Sequence, residues 1–307
     1  MICIGWGEYM NLTDLYYLAS PCVVGFISKM KMLRPGQEPL FPDIFGTGFL
    51  VDDRGTVVTN RHVVEVFEQI PRHPQKDESP VAAIMLFVTE DKRGCQMLMV
   101  EIKGSIALET FNSSGSWFGQ AVPDIGFVQL KLRETPFLSL ATDDFYLQIG
   151  MDIATIGYPM GTIPLTALGK LNQVNPFIRS GIVSSLFPFP TPRPHGFTID
   201  IMQQGGSSGS PIFSTSTSQV VGMMFGGVTE SRAAQSQSAS LQYTLNTNIS
   251  IAEPAHLIRL ALDSYVQAYP QDVSAFPTLQ QLKDSYPQPS ITTGLTWDSW
   301  LVRSEPT

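Results

Sequence analysis

Charge is scarce in this sequence. Of 307 residues only 15% are Asp, Glu, Lys or Arg, against about 25% in an average globular domain. The shortage is greater on the basic side: 19 Lys and Arg stand against 27 Asp and Glu, a net charge of −8. With a pI near 5.0, the chain lacks the basic footprint that a nucleic-acid partner requires, so none is expected. Cysteine is scarcer still. Cys3, Cys22 and Cys95 are odd in number and form no CxxC, which indicates neither a disulfide framework nor a zinc site. The four histidines, His62, His73, His195 and His256, show no metal-ligand spacing, and no metal or other cofactor is expected. Long apolar runs are missing too. The most apolar early stretch, residues 15–28, is interrupted by Ser20 and Pro21 and falls short of the ~20 residues that cross a bilayer. No Lys or Arg precedes Lys29, so the basic start of a signal peptide is not seen. These absences predict no membrane span and favour a cytoplasmic location. They leave the oligomeric state open.

What is present is a chain that folds. Apolar residues make up 43%, too many for a disordered polymer, and at roughly 150 residues per domain the length suits two domains. Gly (25) and Pro (23) together slightly exceed their usual share of about 12%, as expected of many short elements joined by turns. Apolar or alternating runs at 23–27, 46–51, 56–59, 81–88, 96–102, 125–132, 153–158, 181–186, 197–202, 211–213, 220–225 and 241–245 read as strands. Asp52-Asp53-Arg54-Gly55 joins the second and third as a hairpin turn. About a dozen short strands without helical crossovers predict an all-β sandwich or barrel. Two helices are expected, over 63–70 and over 255–265, the second opened by Pro254. Residues 71–80 and the Ser/Gln-rich 230–240 read as surface loops. Residues 133–150 read as the boundary between two strand-rich halves. The tail, 267–307, is rich in Pro, Ser, Thr and Gln. It is expected to be disordered or pinned onto the body by Trp297 and Trp300.

Three places carry chemistry. Gly205-Gly206-Ser207-Ser208-Gly209-Ser210-Pro211 has the composition of a flexible linker, but it lies between apolar strands and ends in proline. Glycines around a serine let the backbone turn sharply and aim consecutive N–H groups one way, the geometry that stabilises an oxyanion. Serine is a poor nucleophile without a base. His62 follows a strand directly, in Thr59-Asn60-Arg61-His62. An acid must orient that base, and Asp124 opens the strand Asp124-Ile125-Gly126-Phe127-Val128. Singly, these are a linker, a surface histidine and a turn aspartate.

Taken in chain order they say more. Gly46-Thr47-Gly48-Phe49-Leu50-Val51, Thr59-Asn60-Arg61-His62, Asp124-Ile125-Gly126-Phe127-Val128 and Gly206-Ser207-Ser208-Gly209-Ser210-Pro211 together resemble the trypsin-like double β-barrel serine peptidases. The likeness is closest to the HtrA/Deg and glutamyl-endopeptidase-like branches. Ala154-Thr155-Ile156-Gly157-Tyr158-Pro159-Met160-Gly161, Ser180-Gly181-Ile182-Val183-Ser184 and Val221-Gly222-Met223 extend it over roughly residues 18 to 265. The resemblance implies two six-stranded antiparallel barrels of the chymotrypsin type with a C-terminal helix and an extended tail. Residues 15–140 would carry His62 and Asp124, residues 141–266 would carry Ser208, and 267–307 would form the tail. It further implies Ser208 as nucleophile, His62 as general base, Asp124 as orienting acid, and the N–H groups of Gly206 and Ser208 as oxyanion hole. The chain departs from the common pattern at Ser207, where Asn or Asp is usual, and at Ser210, where Gly is usual.

For specificity, the resemblance implies a primary pocket lined by Met202, Phe225, Gly226 and Gly227. No Asp stands at the pocket base, against Arg or Lys at P1. Met224 stands where glutamyl-specific members place histidine. An apolar P1 is expected, with the Phe225–Gly227 backbone pairing to an extended peptide or protein substrate. No PDZ domain is expected after Tyr265.

Two other readings compete. Gly205-Gly206-Ser207-Ser208-Gly209 also satisfies G-x-S-x-G, the α/β-hydrolase elbow, with Ser207 as nucleophile. That class needs its acid and then its histidine after the serine, yet no Asp lies between Ser207 and His256. A protease fold retained as a catalytically weak or inactive binding module is the other alternative.

Overall fold

The computed structural model describes residues 10–31, 44–71, 79–88, 95–112, 116–161, 175–235, 240–285 and 302–303. In chain order the elements are α1 (Leu12–Ala19), β1 (Val23–Ser28), β2 (Met30–Lys31), β3 (Ile44–Leu50), β4 (Thr56–Thr59), α2 (Arg61–Gln69), β5 (Val81–Val88), β6 (Cys95–Ala107) and β7 (Gly126–Leu130). There follow β8 (Asp152–Gly157), β9 (Phe177–Phe187), β10 (Gly196–Ile199), β11 (Pro211–Ser214), β12 (Val220–Gln235), β13 (Ser240–Pro254), α3 (Ala255–Ala268), α4 (Leu279–Ser285) and β14 (Val302–Arg303).

Two sheets close. The first barrel runs β1-β3-β4-β7-β6-β5 and the second β10-β13-β12-β11-β8-β9, every pairing within them antiparallel. Closure removes the open edges that a flat sheet would expose. β14 pairs separately with β2. β1 and β5 are apolar without alternation because both of their faces are covered: Val23, Val24, Phe26, Val81, Ala82 and Met85 are all fully buried. One face fills the barrel, while β1 also meets β8 of the second barrel and β5 lies under the turn after α1.

The C-terminal helix crosses back. Leu257, Ile258, Ala261 and Tyr265 of α3 are buried in the core of the first barrel, and the Tyr265 ring stacks on Phe127 of β7 at 4.6 Å. Burial of Leu257 and Ile258 stabilises the fold by about 1.5–3 kcal/mol each, so α3 clamps the two barrels together.

The helix α1 was not foreseen; it is capped by the Asn11 side chain, which accepts the Asp14 N–H. One expectation needs correction. The loop expected at 230–240 is largely a β-ribbon, with β12 and β13 paired out to Gln235↔Ser240. Beyond the barrel the ribbon meets solvent, as at exposed Ser231 and Thr244, so it carries no alternating apolar signal. The first part of the tail packs on the body, strapping the first barrel: Arg133 N–H donates to Pro277 O (3.1 Å), Leu279 N–H donates to Arg133 O (2.9 Å), and the Lys283 ammonium sits 3.7 Å above the Phe87 ring. Residues 72–78, 236–239 and 286–301, with Trp297 and Trp300, lie outside the described residues.

Candidate active site

The first barrel brings His62 and Asp124 together by register. β4 and β7 pair antiparallel with Thr59 opposite Gly126 at the end of the ladder, so the residues after β4 and before β7 emerge side by side. After β4 the chain turns at once into α2, whose Val63, Val64 and Phe67 are buried. That anchors His62 in the first turn. Its Nδ1 lies 2.6 Å from Asp124 Oδ2, and its backbone N–H donates to Oδ1 at 3.0 Å. The Asp124 side chain is 8% exposed and that of His62 43%. One face of the imidazole is thus fixed and the other open. Asn60 is fully buried. Its amide turns away from the helix end and donates to Asp124 O at 2.9 Å. From the second barrel, the Glu253 carboxyl accepts the Asp124 N–H at 2.8 Å.

Ser208 lies on the loop between β10 and β11. The loop is stitched to the first barrel through one threonine of β3. Thr47 N–H donates to Ser208 O (2.8 Å), and Thr47 Oγ1 donates to Gly206 O (2.6 Å) while accepting Tyr158 N–H (3.2 Å). Thr47 O in turn accepts the Thr59 hydroxyl (2.6 Å), three residues before His62. Gly206 and Gly209 have φ of +86° and +87°, the left-handed region that favours glycine. A Cβ at Gly206 would lie 2.3 Å from Tyr158 O, and one at Gly209 1.9 Å from Thr47 O. The glycines let the loop press against the other barrel. In this conformation the Gly206 and Ser208 N–H groups have no acceptor among the described residues.

The Ser208 hydroxyl accepts a hydrogen bond from Gln203 Nε2 at 3.0 Å. No hydrogen bond joins it to His62 among the described residues. Ser207, the nucleophile of the esterase reading, is 2% exposed, its hydroxyl is buried, and its N–H is spent on Gln204 O. Two closed antiparallel barrels also leave no parallel sheet on which an α/β-hydrolase elbow is built.

Around the expected pocket, Met202 O accepts from Arg179 Nη1 at 2.7 Å, and Phe225 O accepts from Gln203 Nε2 at 3.4 Å. Gly226 has open space where a side chain would be, and a Cβ at Gly227 would lie 3.3 Å from Gln203. β12 shifts register between Met224 and Gly226 and again between Gly227 and Thr229. Bulges of this kind re-aim a strand. Met224 itself is fully buried in the second core. β11 pairs with β12 only as far as Met223, so Phe225–Gly227, paired with β13 on one side, faces no strand on the other among the described residues. No group of three or more His, Cys, Asp or Glu forms a metal cage among the described residues, and no described helix is long and apolar enough to cross a membrane.

Comparison with known proteins agrees with this architecture. The family model described as "Trypsin-like peptidase domain" matches residues 46–223, which include His62, Asp124 and Ser208. The chain belongs to this trypsin-like peptidase family. By that membership it is a serine protease. Among solved structures, the HtrA-type protease AlgW with a decapeptide superposes with a TM-score of 0.50 at 15% identity, over 84% of this chain and 68% of that one. The serine endoprotease from Yersinia pestis gives a TM-score of 0.47 at 14% identity, over 85% of this chain and 68% of that one. At such identities the likeness concerns fold. No curated protein matches the sequence.

Sequence reasoning about this peptidase missed four residues at the site. Thr47 stood only as part of a motif, and Gln203 and Arg179 went unnoticed because their roles depend on how a loop folds back. Glu253 left a trace: a carboxylate inside the apolar run Ile251-Ala252-Glu253-Pro254 has to find a buried partner. It is 3% exposed, and burial pushes its pKa up to about 7. The Asp124 N–H bond and the Arg61 charge oppose that rise, and the Asp124 charge adds to it.

Proposed function

We propose that the chain is a serine endopeptidase working through Ser208, His62 and Asp124 with an acyl-enzyme intermediate. The observation that carries this reading is the doubly bonded His62–Asp124 pair at the end of the strand ladder to which Thr47 ties the Ser208 loop. Asp124 holds Nδ1 of the imidazole, which leaves Nε2 as the base. The Gln203 amide occupies a lone pair of the Ser208 oxygen, so the hydroxyl proton remains available to His62.

As Ser208 Oγ attacks the peptide carbonyl carbon, its proton passes to His62 Nε2. The carbonyl oxygen becomes an oxyanion facing the N–H groups of Gly206 and Ser208. Collapse breaks the C–N bond, and His62 gives the proton to the leaving amine. Water then repeats the sequence on the acyl-enzyme, returning the serine hydroxyl and releasing the acid. The substrate lies as an added strand along Phe225–Gly227. P1 is apolar and small to medium, held between Met202 and Gly226 with Gln203 at the entrance.

A peptide-library digestion tests this. The wild type cleaves internal bonds after apolar residues, and Ser208→Ala and His62→Ala do not. Persistent cleavage by Ser208→Ala overturns the assignment. An inert wild type that still binds peptides favours the binding-module reading, which the Gln203-held serine hydroxyl would then suit.

A further inference from the structure

Asp124 has every polar atom spoken for. Its two carboxylate oxygens take the backbone N–H and Nδ1 of His62, its C=O takes the Asn60 amide, and its N–H goes to Glu253. Three of these bonds come from the first barrel and are local to the β4–β7 register. The fourth comes from the end of β13 in the second barrel, 129 residues further along the chain. Glu253 therefore ties the acid of one barrel to the frame that carries the Ser208 loop.

A neutral serine, threonine or peptide carbonyl would also satisfy an N–H. A carboxyl in this place brings a group that can bear charge beside the Asp124–His62 pair, in a site where charge is poorly screened. The charged groups whose fields reach Glu253 are Asp124, ahead of β7, and Arg61 on α2. Across the ladder it faces Met223, which is apolar and fully buried.

We infer that Glu253 is a positioning residue for the Asp124–His62 pair, a carboxyl from the second barrel that fixes the acid's peptide group and tunes the imidazole by its charge. The catalytic consequence rests on the peptidase reading; the positional claim stands on the geometry. An anion beside Asp124 stabilises the protonated imidazole, so ionisation of Glu253 strengthens His62 as a base, and neutralising it weakens the base.

The test uses the full-length chain. Glu253→Gln keeps a carbonyl acceptor and removes the charge, whereas Glu253→Ala removes the acceptor. In Glu253→Gln the midpoint of the His62 NMR titration moves about half a pH unit lower, and the acid limb of kcat/KM moves with it. In Glu253→Ala, kcat falls by about ten- to a hundredfold with KM little changed, and the downfield Nδ1 proton signal of His62 is lost. If Glu253→Ala does not fold, Glu253→Gln decides. A folded Glu253→Gln whose imidazole midpoint and acid limb match the wild type overturns the inference. Should the wild type cleave no peptide, the peptidase reading fails, while the NMR arm still tests whether Glu253 acts on His62.

Discussion

The two barrels hold their parts of the site in different ways. On the first, His62 and Asp124 sit at the end of a regular ladder, and the acid's backbone and carboxylate are both pinned by hydrogen bonds of 2.6–3.0 Å. On the second, the Ser208 loop is held mainly through its backbone, by Thr47. The buried hydroxyls of Ser207 and Ser210 have no partner among the described residues, and the strand beside the expected pocket is bulged twice. The His62–Asp124 side is over-determined, while the Ser208 side is seated by close backbone approach and leaves its side chains adaptable. Under the proposed function, a preorganised base beside an adjustable pocket would allow specificity to vary without disturbing proton transfer.

The largest expected effects test whether the two sides act as one. Ser208→Ala and His62→Ala should each lower peptide hydrolysis by roughly 10⁴-fold or more, and the double variant should be hardly worse than either single one. Steady-state kinetics with a cleaved peptide read this directly, and additive losses would show that the residues do not form a unit. Ser208→Ala should leave thermal stability within about 0.5 kcal/mol. Next comes the seam. Gly209→Ala would set a Cβ 1.9 Å from Thr47 O at a φ that alanine rarely adopts, and Thr47→Val would unpair the buried Tyr158 N–H and Gly206 O. We expect each to lose about 2–4 kcal/mol in urea unfolding together with most of the activity. Thr47→Ser should retain both.

A pH series separates the barrels from the groups between them. Glu253 rises from an ordinary 4.5 to about 7, chiefly through burial. The folded state therefore binds the proton more tightly, and this contribution to stability is present below pH 4.5 and lost as pH rises through about 7. His256, at the start of α3, has the opposite sign. Burial first, then the nearby Arg193 charge, lowers its pKa from 6.5 to about 4. Its contribution is present above pH 6.5 and lost as pH falls toward 4. Between pH 4.5 and 6.5 the two slopes, each about 1.4 kcal/mol per pH unit, oppose one another. Chemical denaturation of the wild type should therefore vary little with pH across that window from these two groups. In Glu253→Gln, stability should rise with pH by about 2–3 kcal/mol. An unchanged slope in that variant would show that the carboxyl is not buried as described. The smallest effect concerns the pocket. Gln203→Ala should change kcat/KM by about three- to tenfold, in favour of bulkier apolar P1 residues. A P1 profile identical to the wild type would remove Gln203 from the pocket entrance.

Much of this was legible from the sequence because strands report themselves through burial. The runs at 81–88 and 56–59 are the observed β5 and β4 to the residue, since a fully buried strand draws on apolar and β-branched residues. His62, Asp124 and Ser208 could be nominated because a serine peptidase restricts residue type and order, and glycine next to serine marks a tight backbone. What stayed hidden depends on contacts between distant segments. Thr47 is an ordinary strand threonine until the serine loop lies across it, and Gln203 means little until its amide reaches Ser208. Glu253 is set by which barrel strand ends beside Asp124. The β-ribbon at 230–235 and the helix α4 in the tail were missed because neither carries a buried face long enough to impose a period.

The central claim is that Ser208 is the nucleophile activated by the His62–Asp124 pair. Intact-mass and peptide-mapping analysis after treatment with a fluorophosphonate tests it most directly. The account predicts a single adduct on Ser208 of the wild type, retained in Ser207→Ala, slowed strongly in His62→Ala and absent from Ser208→Ala. An adduct on Ser207, or a folded wild type that takes up no label, would contradict it.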